Sequence, residues 1–201
     1  MRSNGKYAAV LTALMLAVVP APAAASSCAG ANIPASVTQD PATRATITCL
    51  INAQRAAHGL RPLATSGRLA AAAAAYSNRM VAERFFAHVD PHGGTITSRA
   101  KASGYTNGAY LWALGENLAW GVGSRALPSS IVAVWMASPG HRANLLEPTW
   151  REIGVGVAKG IPLGGTAGGT YAAEFGQRSG STARRSASTH RKAVKLHSHK
   201  A

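Results

Sequence analysis

The apolar residues of this chain change their spacing near residue 150, and that change limits its fold more than any other feature. Before it, they recur every three or four positions. Ile47, Leu50 and Ile51 share one face of a segment over 43–58, with Asn52 and Arg55 toward water and Gly59 as a stop. Ser66 suits the cap of a second helix whose stripe is Leu69, Ala73, Tyr76 and Met80, with Arg68, Ser77, Asn78, Arg79 and Glu83 facing solvent. The alanine run over 70–75 adds helix propensity there. Shorter helices are expected over 96–103 and 129–136, the latter turning Ile131, Val134 and Trp135 inward. After residue 150 the period becomes two. Ile153, Val155 and Val157 alternate with glycines, and Tyr171, Ala173 and Phe175 alternate with Thr170, Ala172 and Glu174. A Gly-rich connection over 159–169 joins these two strands as an antiparallel pair. Helices first and strands last argue for an α+β arrangement rather than a parallel βαβ sheet.

A chain of 201 residues, with 47% apolar and 14% charged side chains, can bury one domain-sized core. Cys28 and Cys49 are the only cysteines, too few for a zinc finger, an iron–sulfur cluster or a disulfide-dense scaffold. Packing must therefore carry the fold. At the N-terminus, Arg2 and Lys6 precede an apolar run over 7–19, then Pro20, Pro22 and Ala23-Ala24-Ala25 before Ser26. This is the pattern of a secretory signal peptide cleaved after Ala25, since the run falls short of the roughly 20 residues that cross a bilayer. Ala25-Ser26-Ser27 before Cys28 offers no leucine three positions upstream, so lipid attachment at Cys28 is not expected. Export to an oxidising compartment would pair Cys28 with Cys49 and pin the N-terminal arm to the first helix, a closure worth about 3 kcal/mol in the chain-entropy picture.

The formal charge of +14 suggests a nucleic-acid binder until it is divided along the chain. Residues 178–201 hold seven Lys or Arg and no acid, whereas residues 26–177 hold twelve bases against seven acids. The body is thus mildly basic, and nucleic acid is not an expected partner. The tail includes Arg184, Arg185, Arg191, Lys192 and Lys195 with His190, His197 and His199. It reads as a disordered extension, either solubilising or adsorbed to anionic envelope polymers. The expected organisation is a signal peptide over 1–25, an arm over 26–42, one domain over 43–177 and the tail over 178–201.

Chemistry, if present, lies with a few polar residues in the apolar frame. His88 follows Phe85-Phe86, read as a buried aromatic pair, and Glu116 sits among core residues in Leu114-Gly115-Glu116-Asn117-Leu118. In Ser138-Pro139-Gly140-His141, Ser138 suits an N-cap and Pro139 the first helical position, so His141 falls in a first turn. The helix dipole there favours a neutral imidazole, the form that ligates metals. As a bare pattern, two His and one Glu more often describe satisfied structural histidines and a buried hydrogen-bonded carboxylate than a shared site. His58 and His92 lie at Gly-rich boundaries and read as solvated. Trp112, Trp120, Trp135 and Trp150 read first as packing, although Trp112 and Trp120 flank Glu116 and could line a cleft.

Five strings in fixed order carry a resemblance: Asn52-Ala53-Gln54-Arg55 with Gly59-Leu60-Arg61-Pro62-Leu63, Phe86-Ala87-His88-Val89-Asp90-Pro91, Gly115-Glu116-Asn117-Leu118-Ala119, Val134-Trp135 through Ser138-Pro139-Gly140-His141-Arg142-Ala143-Asn144-Leu145-Leu146, and Glu152-Ile153-Gly154-Val155-Gly156. Over about 43–177 the chain resembles the bacterial branch of the CAP superfamily, which groups cysteine-rich secretory, antigen 5 and pathogenesis-related-one proteins. The resemblance implies a secreted α-β-α sandwich, with a small antiparallel sheet between helices and a cleft lined by two His and two acids. His88, Glu116 and His141 match three cleft members, and the resemblance implies that His88 and His141 can hold a divalent cation such as Zn2+. The fourth acid is replaced by Ser138, so either Glu152 or Glu174 approaches the cleft or the site has three polar members. Two functions follow from the resemblance. One is a secreted, monomeric binding module with a lipid, sterol-like or cell-envelope partner. The other is a metal-assisted, protease-like hydrolase with Glu116 as general base. No dedicated nucleophile is evident, which favours the binding module.

Overall fold

A computed structural model describes residues 28–33 and 41–181, and the expected signal peptide and most of the basic tail lie outside them. Helix α1 spans Pro41–Ala57, strand β1 Ala64–Thr65, α2 Gly67–Ala82, α3 Ile96–Ala102 and β2 Ala109–Gly121. A 3-10 turn at Gly123–Ala126 leads to α4 Pro128–Ala137, α5 Pro139–Leu145, β3 Glu152–Lys159 and β4 Gly169–Ser181. The strands form one mixed sheet in the order β1-β3-β4-β2. β3 and β4 are the expected antiparallel pair, β2 adds antiparallel to β4, and the two residues of β1 pair parallel to β3.

The sheet's pleat sorts the core into two layers. Ile153, Val155, Val157, Tyr171, Ala173 and Phe175 face the larger cluster, where Ile47, Leu50 and Ile51 of α1, Ile131 and Trp135 of α4, and Leu145 of α5 are buried. The opposite face meets α2 and α3 through Ala73, Tyr76, Met80, Leu118 and Ala172 and through Leu69, Ala100 and Tyr105. This is the α+β sandwich the sequence implies. Gly154 and Gly156 let α2 rest directly on β3: a β-carbon on either would run into the α2 backbone, at Leu69–Ala70 and at Ala73–Ala74 respectively. Alanines on the helix and glycines on the strand make that close approach possible.

Ser66 caps α2 as expected, its hydroxyl accepting from the Leu69 amide. Several inward and outward assignments differ. Arg55 is fully buried, because it lies on the same stripe as Ile47 and Ile51 and its guanidinium donates to the carbonyls of Arg61, Leu145 and Glu147. Ser77 is buried with its hydroxyl on the Ala74 carbonyl. Val134 is 57% exposed, and Val132 packs inward in its place beside Ile131 and Trp135. Phe86 is 44% exposed, so only Phe85 of that pair packs, edge-on against Tyr76. β4 also runs to Ser181, past the expected tail boundary at 178. Arg178 holds it there by pairing with Glu152 at 3.0 Å and lying over the Tyr105 ring.

Cys28 and Cys49 form the expected disulfide, with Cα atoms 5.8 Å apart. It fixes the 28–33 arm to α1, where Thr46 also donates to the Ala29 carbonyl and the Ser129 amide to the Ala31 carbonyl. Because α2 touches β3 backbone to backbone, Gly156→Ala should destabilise the domain by about 1–3 kcal/mol through overpacking. Thermal denaturation checks this, and an unchanged midpoint would mean that α2 is free to move off the sheet.

Candidate functional site

β2 is an edge strand, and two consecutive residues in it reach opposite faces of the sheet. Glu116 points to the α2/α3 side and Asn117 to the α4/α5 side. Each holds one of the two histidine segments. The Glu116 carboxylate meets the His88 ring, with Oε1 2.8 Å from Nδ1. Asn117 donates through Nδ2 to the His141 carbonyl at 3.0 Å and accepts from Asn144 Nδ2 through its own Oδ1. Gly115 leaves room for Asn144 and Trp150 to close around that point. The edge strand thus brings together segments that lie far apart in sequence.

His88 sits in the connection between α2 and α3. Arg84 ends α2 in the left-handed conformation, with φ of 54°, and the Phe85 amide returns to the Met80 carbonyl. Tyr76 donates to the Ala87 carbonyl, and buried Asp90 accepts from the His92 and Gly94 amides and from Arg79. The His88 ring itself stays 60% exposed. Its pKa is raised, first by the Glu116 hydrogen bond, with burial opposing.

His141 is in the first turn of α5, as the Ser-Pro pattern predicts. Ser138 occupies the N-cap position, yet its hydroxyl makes no cap bond and instead lies 2.9 Å from His141 Nδ1. His141 has a lowered pKa, by burial first and by the nearby His88 second, so a neutral ring is favoured as expected.

Behind Glu116 is a group that the motif pattern did not single out. Arg99 of α3 bonds the second Glu116 oxygen through Nη2, donates to the His88 and Gly94 carbonyls, and sits over the Tyr76 ring, its Cζ 3.4 Å from the centroid. Of the two acids named as possible fourth members, Glu174 is the one beside Glu116: the two Cα atoms are in register. Glu152 instead pairs with Arg178 and accepts from Tyr105. Glu174 is fully buried, neither of its oxygens has a hydrogen-bond partner among the described residues, and Arg99 Nε approaches to 3.6 Å, within ion-pair range but too far for a hydrogen bond. Burial first and Glu116 second push the Glu174 pKa up to about 8.

The remaining candidates fall elsewhere. His58 bonds the Gln54 carbonyl and meets Arg142, and His92 lies 3.5 Å from Glu83. Trp135 and Trp150 are buried, whereas the alternation of β2 puts Trp112 and Trp120 on the Glu116 face. Among the described residues no group of three or more His, Cys, Asp or Glu is arranged to hold a metal. Each of the two imidazoles is bonded through Nδ1, His88 to Glu116 and His141 to Ser138. Glu116 already serves Arg99 and His88 with its two oxygens, which leaves it poorly placed as a general base.

Comparison with known proteins bears on the fold. The sequence profile of the cysteine-rich secretory protein family (CAP) matches residues 49–166. The Bacillus subtilis protein YkwD is 38% identical over 107 residues, covering 53% of this chain, and this chain spans only 39% of that relative's length. An extracellular protein containing a SCP domain from Bacillus anthracis is 28% identical and superimposes with a TM-score of 0.52 over 66% of this chain and 39% of its own. An outer surface protein from Borrelia burgdorferi, 22% identical, has the same fold with a TM-score of 0.55, over 66% of this chain and 90% of its own.

The buried Glu174 carboxyl makes stability depend on pH. Its folded pKa of about 8 lies above the ordinary 4.5, so the folded chain binds more protons than the unfolded one between those values. The stabilisation it gives is complete below pH 4.5 and lost as pH rises through about 8. Melting temperatures should therefore show Glu174→Gln gaining on wild type across this window, and parallel profiles would show that Glu174 ionises normally.

Proposed function

The chain belongs to the cysteine-rich secretory protein (CAP) family, and from that premise we propose that it is a secreted binding module whose cleft takes a divalent cation between His88 and His141. The observation that carries this reading is the hydrogen bond at each Nδ1: with that nitrogen donating, His88 to the Glu116 carboxylate and His141 to the Ser138 hydroxyl, Nε2 carries no proton. Such bonds fix ring orientation and tautomer and leave Nε2 as the donor. A bound Zn2+ would supply a Lewis-acidic centre at the cleft mouth, with water completing its coordination. The chain's own part is to orient the rings: Glu116 and Arg99 hold His88, while Asn117 and Ser138 hold His141.

A cell-envelope or lipid partner fits the same cleft. Phe86 and Val89, 44% and 51% exposed, stand on either side of His88 and would give a polar cation site an apolar rim. Secretion is supported by the leader pattern over 1–25, by the disulfide, and by the extracellular description of the B. anthracis relative. No helix among the described residues is long and apolar enough to cross a membrane. The hydrolase reading draws no support from a Glu116 already committed to two cationic or donor groups.

The test is calorimetric titration of Zn2+ into the domain truncated beyond Ser181, which removes the tail histidines. His88→Ala or His141→Ala should each abolish most of the affinity. Binding should also strengthen as pH rises past the elevated His88 pKa, because the metal competes with a proton there. Equal affinity in wild type and both variants would overturn the site.

A further inference from the structure

One guanidinium stands between two carboxylates. Glu116 and Glu174 are opposite each other on β2 and β4, Arg99 reaches both, and β3 contributes only Gly154 to that level of the sheet. The charged or titratable groups facing Glu174, among the described residues, are Glu116 from β2 and Arg99 from α3. Tyr76 of α2 lies beneath the guanidinium, and His88 lies beyond Glu116. The other Arg99 nitrogens are spent on Glu116 or on the His88 and Gly94 carbonyls, whereas Nε and both Glu174 oxygens are buried without hydrogen-bond partners among the described residues. A buried carboxylate so poorly served is costly, and a neutral carboxyl is not.

We propose that Glu174 is the proton-holding element of a switch on the cleft: protonated, it leaves Arg99 to Glu116, and ionised, it draws Arg99 away and leaves the Glu116 carboxylate to His88 alone. The proton passes from the Glu174 carboxyl to solvent, and no other bond is made or broken. Burial of the carboxyl and the neighbouring negative charge place the transition near pH 8. The functional meaning rests on reading His88 as a binding group, but the device itself belongs to the metal-free chain, so it can be tested without that reading.

The experiment is an NMR titration of the metal-free full-length protein, following the His88 ring nitrogens and the Arg99 Nε from mildly acidic to alkaline pH. Wild type should show two inflections at His88, its own and a second at about 8 shared with Arg99 Nε. Glu174→Gln, a neutral isostere, should keep the first and lose the second. A second inflection that persists in Glu174→Gln would overturn the proposal. So would its absence from both reporters in wild type, a result that needs no variant to fold. Zinc binding lost in the histidine variants alongside a single inflection would sink the switch and spare the metal site.

Discussion

The guanidinium of Arg99 is the group on which the Glu116–His88 pair depends. It sits over Tyr76, bonds Glu116, reaches toward Glu174 and holds the backbone of the His88 loop, joining α2, α3, β2 and β4 at one point. Its side chain is only 10% exposed, so these contacts act in a medium where an unmatched charge is expensive. Two buried acids against one buried base cannot all be satisfied as ions. Glu174, without hydrogen bonds, is the member that yields by keeping its proton.

Around that point the fold supplies placement. The glycines of β3 bring α2 down onto the sheet, which seats Tyr76 under Arg99. The edge position of β2 leaves one side of the strand open, so the His88 loop and α5 can both reach it. Glu116 and Asn117, neighbours in sequence but on opposite faces, each hold one of the two histidine segments. Trp135 secures the next carbonyl along, donating from Nε1 to Leu118. The His88 ring therefore depends on the strand, whereas the His141 ring is held by Ser138 and only its backbone by Asn117.

Much of this was legible in the sequence. The helices showed in their 3.6-residue spacing, β3 and β4 in strict alternation, and His88 and Glu116, which the structure pairs, in short motifs with characteristic neighbours. β2 did not, because Ala109–Gly121 is flanked by helices on both faces and so carries apolar residues at even and odd positions alike. Arg55 was placed outward on its charge, although its spacing from Ile47 and Ile51 put it on the buried stripe, where three carbonyls replace water. Ser138 looked like a cap because position and residue type agreed, but the hydroxyl serves His141. Glu174 could be named only as one of two acids, since strand register, which no local pattern encodes, decides that it and not Glu152 faces Glu116. Arg99 had no signal at all: an arginine on a short helix is ordinarily solvated.

The most direct measurement of the role assigned to Arg99 is a thermodynamic cycle between Arg99→Met, which keeps the length of the side chain and removes its charge, and Glu116→Gln. Removing the cation between two buried carboxylates should cost about 3–5 kcal/mol in denaturant unfolding, and adding Glu116→Gln should recover part of that loss. A loss under about 0.5 kcal/mol for Arg99→Met, the level of an ordinary surface substitution, would contradict the account. So would purely additive effects in the double variant.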